Sequence, residues 1–477
     1  MISRRSAIKI SGASIAGIAA GLSPFQLLPG AEKFIPLRPP IQQRKFVSDS
    51  VEALISSAKK AIADDELRWL FENCFPNTLD TTVETGMRDG KPDTFVITGD
   101  IHAMWLRDSS AQVWPYLPLA KDDKKLQQLI KGVIHRQSYC ITIDPYANAF
   151  NKNREGSYWE KDLTEMKKEL HERKWEIDSL CYTVRLAYGY WKTTGDVSIF
   201  DAEWKKAASL ILKTFREQQR MNGNGPYKFQ RETAVASDTV PMGGYGNPTK
   251  KIGLIHSMFR PSDDACLYPF LIPSNYFALT SLRQLAEINK EVTGDSTMVR
   301  ECSSFADELE SVLKQYSTIE DPIRGKVFVY ETDGFGNSVF MDDANIPSIM
   351  AMPYLGACSI TDTIYQNTRK QLLSSSNPYF FSGYAASGIG GPHVGMDMIW
   401  PMGITIRAMT SSDGNEIREC LRMLKKTHAG TGFMHESFHK DDPANFTRKW
   451  FAWANTLFGE LIVTLVREHP ELMKEQF

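Results

Sequence analysis

The feature that most constrains this chain is an apolar spacing of three and four residues that recurs about a dozen times, with almost no strand pattern between. Residues 48–58 open the series, with Val51, Leu54, Ile55 and Ala58 on one helical face, and residues 65–75 continue it. Further helices are expected over 109–117, 124–139, 178–194, 199–222, 263–293, 296–318, 361–374, 396–411, 414–427 and 449–468. Pro273 and Pro401 are expected to break or offset two of these. Strand-like pieces are few: residues 94–98 and 326–331. Strand and helix do not alternate, which argues against a doubly wound sheet or a (β/α) barrel. No fixed-period repeat is visible, which argues against a solenoid. The pattern predicts an all-α fold of helical hairpins closed into a toroid of about twelve helices, with short strands in the loops.

The ends and the charge set further bounds. Residues 1–30 read as an export signal of twin-arginine type: Arg4 and Arg5, then a short run rich in Ala and Gly from Ile10 to Leu22. Ala7 and Ile8 stand where Phe and Leu are more usual in such signals. The run is too short and too rich in small residues for a membrane-spanning helix. The reading is export to the periplasm or medium, with no stable membrane association afterwards. Residues 31–47, with Pro36, Pro39 and Pro40, read as a linker, and nothing divides 48–477, which reads as a single domain. A net charge of −2 leaves no electrostatic footprint for nucleic acid. The seven cysteines form no CxxC pair, so neither a disulfide framework nor a zinc site is expected.

Chemistry gathers in the loops. Residues 98–116 place His102, Trp105, Arg107, Asp108 and Trp114 in one short span. Rings stack on the C–H face of a sugar while carboxylates and a guanidinium fork bind its hydroxyls, so this span suits a carbohydrate. The same residues can also begin a helix, with Asp108 or Ser109 as its cap. Other loops carry Trp175, Asp342, Asn345, His393 and Trp453, which are candidates for the same pocket. Asp178 could equally be a helix cap, and Asp342 could be one as well.

Two loops supply acid–base candidates. After Pro261, Asp263 and Asp264 adjoin; one can cap the following helix while the other projects into a cleft, where a half-buried carboxyl can donate a proton. Glu436 lies in a loop after Gly430 and Gly432, placed to activate water. His435, Glu436 and His439 lack the spacing of a zincin, so no metal is expected. A carboxylic acid and a carboxylate on opposite sides of a sugar ring make a glycosidase.

Together, residues 98–116, 259–265, 271–275, 342–345, 435–438 and 453–455 resemble glycoside hydrolase family 125 over nearly all of the chain after the signal, in family order. The resemblance implies an (α/α)6 toroid and an exo-acting, inverting α-1,6-mannosidase without metal or other cofactor. Its substrate would be mannose-containing oligosaccharides derived from N-glycans or mannan. Asp263 would be the general acid and Glu436 the general base, with Trp105, Arg107 and Asp108 around the terminal mannose. Read from the residues alone, three rivals stay open: a toroid glycosidase of other specificity, a carbohydrate-binding protein without catalysis, and a polysaccharide lyase.

Overall fold

A computed structural model describes residues 34–477; the export-signal reading lies outside them. Among the described residues, twelve α-helices have eight residues or more. In chain order they are α1 (Asp49–Ala61), α2 (Asp65–Cys74), α3 (Leu106–Val113), α4 (Lys124–Ile143), α5 (Ile177–Thr194) and α6 (Ala202–Gln218). The second half holds α7 (Ile272–Ile288), α8 (Ser296–Tyr316), α9 (Thr363–Leu372), α10 (Pro401–Met409), α11 (Gly414–Lys426) and α12 (Ala452–Glu468). No helix among the described residues is long and apolar enough to cross a membrane.

The helices form two rings. Helices α3, α5, α7, α10 and α12 are buried over most of their circumference; every residue of α3 is inside. They pack in sequence, α12 on α3, α3 on α5, α5 on α7 and α10 on α12. Residues 348–355, a run of buried turns, complete the inner ring: the Tyr354 hydroxyl donates to Glu460 of α12 at 2.9 Å, and the Tyr365 hydroxyl of α9 donates to the Met350 carbonyl at 2.9 Å. The other helices wrap the inner ring from outside; most bury a single stripe, as Ile417, Cys420, Leu421 and Leu424 do on α11, while α4 is buried all round from Gly132 to Ser138.

The two rings begin differently. Outer helices are capped locally: Ser48, Asp64, Asp123, Asp201, Asp295, Asp362 and Asp413 each accept a first-turn N–H in their side chain. Inner helices have Trp105, Glu176, Leu271, Trp400 and Phe451 at that position, with no side-chain cap. Their first N–H groups are met from distant loops: Leu106 by the Asn148 carbonyl, Ile177 by Ser257 Oγ, Ile272 by the Tyr330 carbonyl and Ala452 by the Thr98 carbonyl. The sheets are two- or three-stranded and antiparallel, and several of these short strands lead straight into an inner helix. Met104–Trp105 runs into α3, Phe270–Leu271 into α7, and Met398–Ile399 is followed by α10.

Some expectations change here. Pro273 and Pro401 start α7 and α10 rather than break them, because a first-turn proline lacks only an N–H that would be unpaired anyway. The helix expected from residue 263 begins at Ile272, so neither Ser262 nor Asp263 caps it. Asp108 and Asp178 lie inside the first turns of α3 and α5 rather than at their caps. The strand expected over 326–331 spans Gly325–Phe328 and pairs with Thr318–Asp321. Residues 34–47, read as linker, pack on the domain: Arg38 bridges Glu52 and Asp80 at 2.9 and 2.8 Å, and the Phe46 N–H meets the Leu79 carbonyl at 3.0 Å.

A charged group sits within the inner ring. Arg185 of α5 lies between the rings of Trp114 (3.5 Å) and Tyr354 (4.8 Å), facing Glu460. Burial pushes the Glu460 carboxyl up to about 7, against the pull of Arg185. A carboxyl raised in the folded state stabilises most below its unfolded value, and that contribution is lost as pH rises to the folded value. Glu460→Gln should therefore flatten the fall in melting temperature that wild type shows from about pH 4.5 to 7. Parallel melting curves for the two proteins across that range would contradict this assignment.

Candidate active site

The cavity lies at the N-terminal ends of the inner helices. Counting the space open to solvent at its mouth, its empty volume is about 350 Å³. Helix α3 and its lead-in strand contribute Trp105, Arg107 and Asp108; Trp400 stands at the start of α10, and Phe451 and Trp453 at the start of α12. Loops add Asp263, Asn345, His393, Glu436 and Arg448. Unpaired N–H groups at helix starts carry positive potential, so this end of the toroid favours carboxylates.

Arg107 is the electrostatic centre. Its Nη1 donates to Glu176 at 2.5 Å and Asp178 at 3.0 Å, its Nη2 donates to Asp263 at 3.2 Å, and its Nε lies 3.6 Å from Asp108. All five side chains are buried. Asn148 crosses the same group, donating to Glu172, Glu176 and Asp263 at 3.2, 3.4 and 3.3 Å. Burial drives the Glu176 carboxyl well above its ordinary range, and the neighbouring Asp263 and Asp178 add to this; burial likewise lifts Asp178 to about 6. Arg107 opposes both shifts.

A tight turn aims Asp263. The Asp263 N–H meets the Arg260 carbonyl at 2.9 Å, and the Arg260 N–H meets the Asp264 carbonyl at 2.7 Å. Asp263 itself is left-handed, at φ 65°. Aspartate tolerates that region better than most residues. The twist sends adjacent carboxylates to different places. Asp263 faces the cavity, while Asp264 lies behind the wall with Oδ1 3.6 Å from His393 Nδ1. Burial alone would raise Asp264, but His393 and a hydrogen bond from Ser237 hold it below its ordinary value.

Glu436 enters from the loop before the strand Ser437–His439, which pairs with Met398–Ile399 and Phe446–Thr447. Arg448 Nη1 donates to it at 3.3 Å, and the Arg448 Nε donates to Asp100 at 2.9 Å. His435 stacks on Phe446 at 3.7 Å between centroids. Among the described residues no three His, Cys, Asp or Glu side chains are grouped as metal ligands.

Eight of the residues expected at the site thus share one cavity: Trp105, Arg107, Asp108, Asp263, Asn345, His393, Glu436 and Trp453. Four others do not reach its wall. His102 is exposed and bonded to Glu84 at 2.9 Å. Trp175 is turned into the core, where its indole N–H donates to the His256 carbonyl at 2.7 Å. Asp264 supports His393 from behind. Asp342 caps the buried turns at 348–355, accepting from the Ile349 and Met350 N–H groups at 2.8 and 3.0 Å, and burial pushes it up to about 8. Sequence reasoning missed Arg448, Trp400 and Phe451 as wall residues, and Asn148 and Glu176 as their support. Glu176 stands beside Trp175, itself a candidate for the pocket, whereas Arg448 carries no local signal.

Removing the guanidinium should leave this group of buried carboxyls without their cation. We expect Arg107→Met to lose about 3–5 kcal/mol of stability near neutral pH and less at acid pH, where the carboxyls gain protons. Denaturant melts at two pH values check this, and an equal loss at both would contradict it.

The chain was compared with known proteins. A family model described as metal-independent α-mannosidase (GH125) matches residues 64–463. The "Meiotically up-regulated gene 157 protein" of Schizosaccharomyces pombe is 40% identical over 464 residues, covering 92% of this chain and 91% of its own. A solved Streptococcus pneumoniae metal-independent α-mannosidase, in a non-productive complex with α-1,6-mannobiose, is similar at 42% identity and TM-score 0.85. That match covers 89% of this chain and all (100%) of the other. A rhamnosidase of family GH78 from Bacillus sp. GL1 shares the fold alone, at 11% identity and TM-score 0.50, covering 90% of this chain and 36% of its own.

Proposed function

The chain belongs to glycoside hydrolase family 125, the metal-independent α-mannosidases, and from that premise we propose that it removes terminal α-1,6-linked mannose from the non-reducing end of oligosaccharides, with inversion. The observation that carries the reading is Asp263 and Glu436 on the walls of one small cavity that also holds Trp105, Arg107 and Asp108.

In this reading Asp263 protonates the glycosidic oxygen as the C1–O bond breaks, the bonding pair staying with the oxygen. Glu436 takes a proton from the water whose oxygen bonds to C1 from the opposite face. Each transfer contributes about 10²–10⁴ in rate. Arg448, 3.3 Å from Glu436, orients that carboxylate as a base. Trp105 and Trp453 offer ring faces, and Asp108, Asn345 and His393 offer polar groups to the mannose hydroxyls. N-glycan or mannan fragments are the proposed source of the substrate; the Streptococcus pneumoniae relative was solved with α-1,6-mannobiose, which supports the linkage.

Incubating the protein with α-1,6-mannobiose should release mannose that appears first as the β-anomer in time-resolved proton NMR. Asp263→Asn and Glu436→Gln should each lower the rate by about 10²–10⁴. Cleavage of another α-linkage with none of this one would refute the specificity, and α-mannose as the first product would refute inversion.

We also propose export by the twin-arginine route, supported by Arg4, Arg5 and the short apolar run after them. Replacing both arginines by lysine should strand the folded protein in the cytoplasm of a bacterial host; unchanged export would exclude the route.

A further inference from the structure

The proposed general acid has a difficulty that its surroundings resolve. It must carry a proton near neutral pH, yet Asp263 lies 3.2 Å from the Arg107 guanidinium and 3.3 Å from the Asn148 amide. Both donors favour the carboxylate, and an aspartate with only these neighbours would be ionised. One more group faces it. Glu176 takes the same two donors, Arg107 Nη1 at 2.5 Å and Asn148 Nδ2 at 3.4 Å, so the two buried carboxyls are held side by side, and a pair held this close favours sharing a proton.

Charge counting agrees. Asp108, Glu176, Asp178 and Asp263 surround one guanidinium, and all are at least nine-tenths buried. Four ionised carboxyls would leave a large net negative charge in a volume shielded from water, which is prohibitive. Glu172 adds another carboxyl, reached through Asn148. Two further cations lie nearby and are already committed: Arg231 pairs with Asp162 and Glu172 at 2.6 and 2.9 Å, and the Lys174 Nζ donates to the Asp263 carbonyl at 2.7 Å and lies 3.4 and 3.6 Å from Asp238 and Glu172. At least one proton therefore stays among the carboxyls.

We propose that Glu176 is the positioning residue of the acid: it shares with Asp263 the proton that Asp263 delivers to the glycosidic oxygen. The inference rests on reading Asp263 as the proton donor. When Asp263 delivers that proton to the glycosidic oxygen, both carboxyls are left ionised against Arg107, and the Ser179 hydroxyl, 3.0 Å from Glu176, donates to the Glu176 carboxylate. A proton from solvent restores the pair after the product leaves, balancing the proton that Glu436 removes from water and later releases. Glu176 never touches the substrate; it is fully buried behind the cavity wall.

The test compares two substrates. α-1,6-Mannobiose has a leaving group that needs protonation, whereas α-mannosyl fluoride departs with little help. Glu176→Gln, which keeps the shape and loses the transferable proton, should lower turnover of mannobiose about 10²-fold and leave turnover of the fluoride little changed. The alkaline limb of its mannobiose profile should move to lower pH, because a carboxyl partner no longer raises the affinity of Asp263 for its proton. Parallel losses on both substrates in a folded variant, or an alkaline limb that stays in place, would overturn the proposal. If Glu176→Gln does not fold, Glu176→Asp carries the same comparison: its shorter carboxyl cannot reach Asp263 and should show the same selective loss, and an absence of selectivity overturns the proposal. Asp263→Asn separates the two levels. Selective loss there without selective loss at Glu176 ends this inference alone, and equal loss of both substrates at Asp263 ends the reading of Asp263 as the acid.

Discussion

The Arg107 guanidinium ties together the parts of this protein that do chemistry. Its fork reaches two carboxyls on the approach and first turn of α5, one on its own helix and one on the Arg260–Asp264 turn. Those three pieces are far apart in the chain, and Asn148 and Lys174 add further bonds that hold the α5 approach and the Arg260–Asp264 turn together. A buried cation of this kind is tolerable only with several carboxyls, and carboxyls this deep are tolerable only with a cation or with protons. The arrangement therefore sets both the shape of the cavity wall and the protonation of the groups behind it.

The end of the toroid where this happens follows from how the inner helices begin. All five start without a side-chain cap; α3, α5, α7 and α12 are met instead by a carbonyl or hydroxyl from elsewhere in the chain, and α10 opens on Pro401, which has no N–H to satisfy. The loops are thus held at the helix starts by bonds the helices require. A chain that stapled its inner helices elsewhere would lose the wall that holds Trp105, Trp400 and Phe451. The opposite carboxylate uses a smaller version of the same device, with Arg448 spanning Glu436 and Asp100.

Several site residues could be read from the sequence because their types were costly anywhere else. Trp105, Arg107 and Asp108 in succession, or Glu436 between Gly432 and an aromatic, have little use in an ordinary loop. The readings that went astray share one cause. His102, Trp175, Asp264 and Asp342 are polar or aromatic residues in the same motifs as true wall residues, but the backbone turns them away. Asp263 and Asp264 make the point most sharply: a left-handed residue separates two neighbours of identical chemistry, one into the cavity and one behind it.

The sequence by itself determined the all-α class, the number of helices and the starts of most outer ones. Those starts depend on a nearby Ser or Asp side chain and an amphipathic stripe, which are local properties. Tertiary structure alone decided where inner helices such as α7 and α10 begin, which of two adjacent carboxylates faces the cavity, and that Glu176 lies against Asp263. Inner helices are buried nearly all round and α3, α5, α7 and α12 take their first hydrogen bonds from residues far along the chain, so no short stretch contains the information. A carboxyl–carboxyl contact is likewise a property of three dimensions, because only the buried guanidinium between its neighbours makes that closeness possible.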